Sequence, residues 1–291
     1  MTMPLIDSTP AFHVTGFLTK PALLALACAS ISLPSQADPI NDTHLFRFGV
    51  YEQKIDVNAS AARDPFPKTE LDFDDILGLD ESSTSFFLQY EWRFKEKWFL
   101  RAFYTNMEAD GEKKSSRPFN WNGVDYEAGL KLGTTFGVDT YLVAAEYAFM
   151  QTEKMELGAG FGLHAFDITT TIKLEASIDD VEGGGSVAGQ DKKSKSDLLA
   201  PLPNLRLFGR YAFTPKWSAE GAVGWLSANY DDYEGDYLFL TLLTEYRVTD
   251  RFGVGLAYQI SEIDITRDRS NGSDAYNIDQ YGPSIFISYG F

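Results

Sequence analysis

The chain has 291 residues, with 42 acidic and 25 basic side chains, three histidines and one cysteine. A net charge of −17 lacks the basic footprint that a nucleic-acid partner requires. The lone Cys28 lies in a stretch expected to be removed, which leaves a mature chain without thiols and excludes disulfide scaffolds, thiolate metal sites and a cysteine nucleophile together. No run of 18 apolar residues is present, so no helix of this sequence can span a bilayer, and the length fits one large β domain or two smaller ones. Mean hydropathy is −0.21, an average that cannot register an alternating pattern.

Residues 17–32 set Lys20 before a short apolar core, and Ser35-Gln36-Ala37 forms the small-x-small pattern of a signal-peptidase site. Residues 1–37 are thus predicted to be a cleaved signal peptide, with Asp38 opening the mature domain, 38–291. The alternative is a lipidated Cys28, although Ala25 stands where a lipobox has leucine. The stretch before Phe17 is long for an export signal, which points to a start downstream of Met1.

Apolar side chains then fall on every second position in ten stretches. These run roughly 44–57, 84–94, 98–108, 138–149, 155–173, 198–213, 217–229, 237–248, 252–266 and 279–291. In the last, Tyr281, Pro283, Ile285, Ile287, Tyr289 and Phe291 share one face, and Gly282, Ser284, Phe286, Ser288 and Gly290 share the other. Short polar turns at 95–97, 151–154, 214–216 and 249–251 alternate with longer connections at 58–83, 109–137, 174–197, 230–236 and 267–278. Short turns on one side and long loops on the other predict an all-β fold, a transmembrane antiparallel up-and-down barrel. The expected strand number is ten, or eight if two stretches are loop hairpins.

Aromatic placement distinguishes lipid from a soluble core. Trp92, Phe94, Trp98, Tyr147, Phe149, Tyr211, Phe213, Trp217, Tyr246, Phe252, Tyr289 and Phe291 lie beside the short turns on the apolar register. Tyr104, Tyr141, Trp225, Tyr258 and Tyr281 lie toward the long-loop ends. Two belts with aliphatic residues between them are what two membrane interfaces select. The final segment carries a polar residue, a glycine, alternating hydrophobics and a terminal aromatic: Gln280, Gly282, Ile285, Ile287, Tyr289 and Phe291. It resembles the C-terminal assembly signal of Gram-negative outer-membrane barrels, and the whole mature chain is similar to the small OmpA-like and OmpW-like barrels. The resemblance implies the outer membrane as location. It implies the lipid bilayer and lipopolysaccharide as surroundings, and the barrel-assembly machinery and periplasmic chaperones as partners in biogenesis, with a monomer as the expected state.

The opposite register is charged. It carries Arg47, Glu91, Arg93, Arg101, Glu146, Glu156, Arg206, Arg210, Glu220, Glu245 and Arg247, six arginines and five glutamates, while the apolar register is nearly free of charge. Charges facing lipid would cost roughly 2–4 kcal/mol each near the midplane, so these residues are predicted to face the lumen. Two roles fit. Arginine–carboxylate pairs can fill and plug a small barrel, or the same groups can line a narrow channel for small solutes. Inward Gly158, Gly160, Gly162, Gly224, Gly253 and Gly255 leave room for water or for bulky partners, or permit strand curvature.

No catalytic residues, metal site or cofactor are predicted. His164 shares the lumen register, but His164-Ala165-Phe166 lacks the serine that a PagL-like lipid A deacylase shows two residues on, and no Gly-x-Ser-x-Gly elbow exists. An omptin-like protease would need acidic pairs and a histidine at the outer rim, and rim acids here are too common to discriminate. Acids gather at 70–81, 175–182 and 231–236. They make a solvated, repulsive rim, a surface for adhesion, or a site for divalent cations shared with lipopolysaccharide phosphates; no EF-hand spacing is present. Loop 182–197 is glycine-rich and charged. In the first loop Phe73, Ile76 and Leu77 would pack over the mouth or extend a strand.

Overall fold

A computed structural model describes residues 42–64, 66–174, 193–230 and 232–291. The predicted signal peptide, Cys28 and most of loop 182–197 lie outside them. In chain order the elements are β1 (His44–Arg63), β2 (Phe66–Asp72), α1 (Phe73–Leu77), β3 (Ser82–Lys95), β4 (Trp98–Lys114), β5 (Phe119–Trp121) and β6 (Val124–Tyr126). There follow β7 (Lys131–Gln151), β8 (Met155–Leu174), β9 (Lys193–Ala212), β10 (Trp217–Tyr230), β11 (Tyr233–Arg247), β12 (Phe252–Arg269) and β13 (Gly272–Gly290). Ten of these strands pair antiparallel in the order β13-β12-β11-β10-β9-β8-β7-β4-β3-β1, and β13 pairs with β1 to close the ring. Closure is reciprocal: His44 N–H donates to the Phe291 carbonyl at 2.9 Å, and Phe291 N–H donates to His44 at 3.0 Å. The expected ten strands are present, and the alternative count of eight falls away.

Around the lower half of the barrel the apolar register faces outward. Phe48, Val143, Phe161, Leu240, Leu256, Ile285 and Ile287 are exposed, Ile285 by 62%. Aromatic rings from adjacent strands meet along the belt by the short turns, as in Trp98–Tyr147 and Phe252–Tyr289 at centroid separations of 4.9 and 4.7 Å. An exposed apolar band flanked by such rings is stable only against hydrocarbon.

Among the described residues the long connections are largely strand, which corrects the predicted boundaries. β1 continues to Arg63, β4 to Lys114 and β12 to Arg269, while β7 begins at Lys131, β9 at Lys193, β11 at Tyr233 and β13 at Gly272. The cause is a change of solvent along each strand. Above the apolar band the inward positions turn apolar and the outward ones polar. On β1, Ile55, Val57 and Ala59 are buried while Asp56 and Asn58 face out. On β8, Phe166, Ile168 and Ile172 are buried, and on β13, Tyr276 and Ile278 are. Reading the apolar phase of the membrane segment onward makes strands such as β1, β4 and β13 end where only their environment changes, whereas the predicted 155–173 already spans β8 to within one residue of its end.

This outer half holds a packed core. β2 folds back along β1 and delivers α1, whose start is capped by Asp72 accepting from Asp75 N–H at 2.9 Å and whose end is turned by Gly78 at φ 67°. Phe73 and Leu77 of α1 are fully buried. Phe73 meets Trp121 and Phe136 edge to face, at 5.9 and 5.6 Å. Trp121 belongs to a hairpin, β5–β6, turned by Asn122 and Gly123 at φ 52° and 81°, the pattern of a type I′ turn. Tyr126 of the same hairpin donates to the Ile172 carbonyl at 3.1 Å. Of the two readings of Phe73, Ile76 and Leu77, packing over the mouth is the one observed.

Candidate functional site

Beneath that core, eleven of the charged residues read from the sequence are all buried, or nearly so, and meet in one network. Arg47 donates from Nε to Glu245 at 3.0 Å and from Nη1 to Glu220 at 3.2 Å. Arg101 contacts Glu91 and Glu220 at 2.8 Å and Glu146 at 3.3 Å. Arg210 binds both oxygens of Glu91 and reaches Glu220 at 3.4 Å. Arg93 holds Glu156 through two bonds of 2.8 and 3.1 Å. Arg206 pairs with Glu146 at 2.6 Å, and Arg247 with Glu245 at 2.7 Å.

Two members were missed from the sequence. Asp42, before the first strand, pairs with Arg247 and gives six carboxylates to six arginines. Gln89, with its amide turned so that oxygen accepts, takes bonds of 2.8 Å from both Arg47 and Arg101. Bidentate and shared carboxylates of this kind compensate desolvated guanidinium groups, and single removals leave an uncompensated charge.

No protein-family model matches the chain, and no curated protein does. Among solved structures the barrel is similar to the outer-membrane protease OmpT from Escherichia coli, with TM-score 0.50 and 10% identity over 85% of this chain and 97% of that one. It is also similar to the outer membrane protein OprG from Pseudomonas aeruginosa (TM-score 0.36, 12% identity, 86% and 97% covered). A third similar structure is Ail, the attachment invasion locus protein of Yersinia pestis (TM-score 0.28, 10% identity, 82% and 97% covered). The chain is an outer-membrane β-barrel. At these identities the likeness is one of fold.

The barrel fills its middle by interlocking rings with glycines. Phe208 lies opposite Gly158, Phe239 opposite Gly224, and Phe286 opposite Gly255. A Cβ at any of these glycines would collide with the ring facing it. Of the roles weighed for the inward glycines, room for bulky partners is the one these three play. The rings also take the arginines: Arg93 and Arg210 sit over Phe99 at 4.1 and 5.1 Å, and Arg206 over Phe239 at 5.2 Å. An inward phenylalanine placed across from a glycine was the available signal, and it needed the pairing register to be read.

His164 is buried at the top of the charged layer, stacked on Phe166 and edge-on to Tyr237. Its Nδ1 meets Asn204 Nδ2 at 2.5 Å and its Nε2 meets the Tyr237 hydroxyl at 3.4 Å. His44 bonds the Tyr90 hydroxyl at 2.8 Å beside Phe291. Among the described residues no group of three or more His, Cys, Asp or Glu is arranged to hold a metal ion. In the terminal segment, Gln280 points inward to Ser261, while Ile285, Ile287 and Phe291 are exposed on the outer face. Gly282 lies against the Glu52 carbonyl, where a Cβ would clash.

Proposed function

We propose that this chain is a closed structural barrel, with the arginine–carboxylate layer acting as its seal and not as a selectivity filter. The observation that carries the reading is that each of the six arginines is ion-paired within the lumen, beneath an apolar core that continues to α1. Ion conduction needs a continuous wet path and sites that release what they bind. Among the described residues, the space between layer and core is a small cavity at Arg206, Tyr237 and Phe239. Lipid and lipopolysaccharide surround the outward band in this reading, and the segment ending at Phe291 is what the assembly machinery engages. The barrel works as a monomer and carries out no chemistry of its own.

The test is single-channel recording of the refolded barrel in a planar bilayer, with folding verified by heat-modifiable gel migration. Silence from folded protein is the expected result; discrete, reproducible openings would make the arginines and glutamates pore elements and overturn the seal. A second reading, binding at the cell surface, is favoured by one feature. Asp56, Asp279 and Glu262 stand side by side across β1, β13 and β12 on the outer wall. Loss of cell-surface binding on charge reversal at these positions, with the barrel intact, would favour it.

A further inference from the structure

The cavity between the charged layer and the outer core is lined by donors, by apolar side chains and by the carboxylate of Glu220. The side chain of Arg206 reaches it and is only 6% exposed. Its pair with Glu146 runs through Nε at 2.6 Å, in a geometry that leaves Nε without a hydrogen bond. Among the described residues no acceptor is bonded to its two Nη groups, and Glu146 is shared with Arg101. Nε is the buried nitrogen of Arg206 that lacks a hydrogen-bond partner, and Nη groups that reach a cavity without a bonded acceptor are satisfied there by an anion or by water.

The neighbouring polar groups have the same character. With the Asn204 amide placed so that Nδ2 donates to His164 Nδ1, the tautomer is assigned with its proton on Nε2, toward the Tyr237 oxygen. The phenolic O–H of Tyr237 is therefore a donor left over at the cavity. Glu220, the carboxylate in the lining, is already engaged by Arg47, Arg101 and Arg210. Phe239, Leu142 and Leu243 supply the apolar side.

We infer that this cavity binds a small carboxylate with a short aliphatic tail. The two oxygens meet the Arg206 fork and the Tyr237 hydroxyl, and the tail lies along Phe239 and Leu243. Planar bidentate recognition is what a guanidinium supplies to a carboxylate and a spherical ion does not exploit.

The test uses the full-length protein purified from outer membranes in detergent, titrated calorimetrically with butyrate at pH 7. Saturable binding at one site per chain is expected, weakened roughly tenfold or more by Arg206→Gln. Ala222→Leu fills the cavity with every charge retained, and a loss of similar size is expected from it. It keeps the test decisive if Arg206→Gln does not fold. Three results would each overturn the inference: no saturable heat up to about 50 mM butyrate, binding unchanged in folded Ala222→Leu, or chloride displacing butyrate at equal concentration.

Discussion

The two halves of this barrel solve the same packing problem with opposite patterns. In the membrane half the outer wall is apolar and the lumen holds twelve charged side chains, six of each sign. In the outer half the wall is polar and the lumen holds Phe73, Leu77, Trp121, Phe136 and Ile172. The same strands run through both, and the β1–β13 seam keeps one register from Leu45↔Gly290 up to Arg63↔Gly272, with pairing missing at Glu52 and Gln53. What changes is the solvent outside. Hydrocarbon favours an inside-out barrel, and water favours the ordinary arrangement of a soluble core.

The two halves are expected to respond differently when one is damaged alone. Phe73→Ala removes a fully buried ring from the outer core and is expected to cost about 3–5 kcal/mol. The loss should appear as hydrogen-exchange and protease sensitivity of α1 and the strand ends above the band, with heat-modifiable migration kept. Arg101→Leu should cost a similar amount, about 3–5 kcal/mol, because Glu91, Glu146 and Glu220 would share one counter-charge fewer. Here urea unfolding of the whole barrel is the readout. Removing Arg93 and Glu156 together should cost less than removing either one, a contrast a double-mutant cycle measures.

The wall gives the next largest effect. Ile285→Arg puts a charge on the exposed apolar face and is expected to cost roughly 2–4 kcal/mol in a bilayer. Refolding yield and unfolding in lipid vesicles report it. The same substitution at Asn277, on the same strand above the band and facing Asp264, should be tolerated.

How much of this was legible depends on which solvent a segment meets. The ten membrane-crossing stretches, the belts and the inward charges could be read because alternation, aromatics and arginines agreed on one phase. Beyond Tyr51 on β1 and before Tyr281 on β13 the apolar residues move to the other phase, which imitates the end of a strand. Two local signals in the outer half were present all the same. Asp72 and Gly78 bracket a single helical turn, and Asn122-Gly123 marks a hairpin. Each is too short to carry a hydrophobic period, so each depended on recognising turn chemistry alone. In the lumen, Asp42 escaped notice because it precedes the first strand, and the roles of Phe208, Phe239 and Phe286 needed the register with Gly158, Gly224 and Gly255.

The smallest effect sharpens the boundary between the halves. Burial raises the carboxyl groups of Asp56, Asp279 and Glu262 above their ordinary range, and the acids around them raise them further. Asp72, Asp74 and Glu81 act on Asp56; Asp56 and Asp264 act on Asp279; Asp279 and Asp264 act on Glu262. A carboxyl whose pKa is higher folded than unfolded takes up protons on folding, so its destabilising contribution is absent below the unfolded carboxylate range. That contribution grows as pH rises from the unfolded carboxylate range and is complete above the raised values. The outer half is therefore expected to gain stability as pH falls from 7 into the acidic range. Asp279→Asn removes the middle member of the row, and it should stabilise that half slightly at pH 7 and flatten its pH profile. Hydrogen exchange resolved to β1, β12 and β13 is the measurement. If the protected amides above the band show the same pH dependence in wild type and variant, the row is fully solvated, and the polar outer wall contributes nothing to where the membrane half ends.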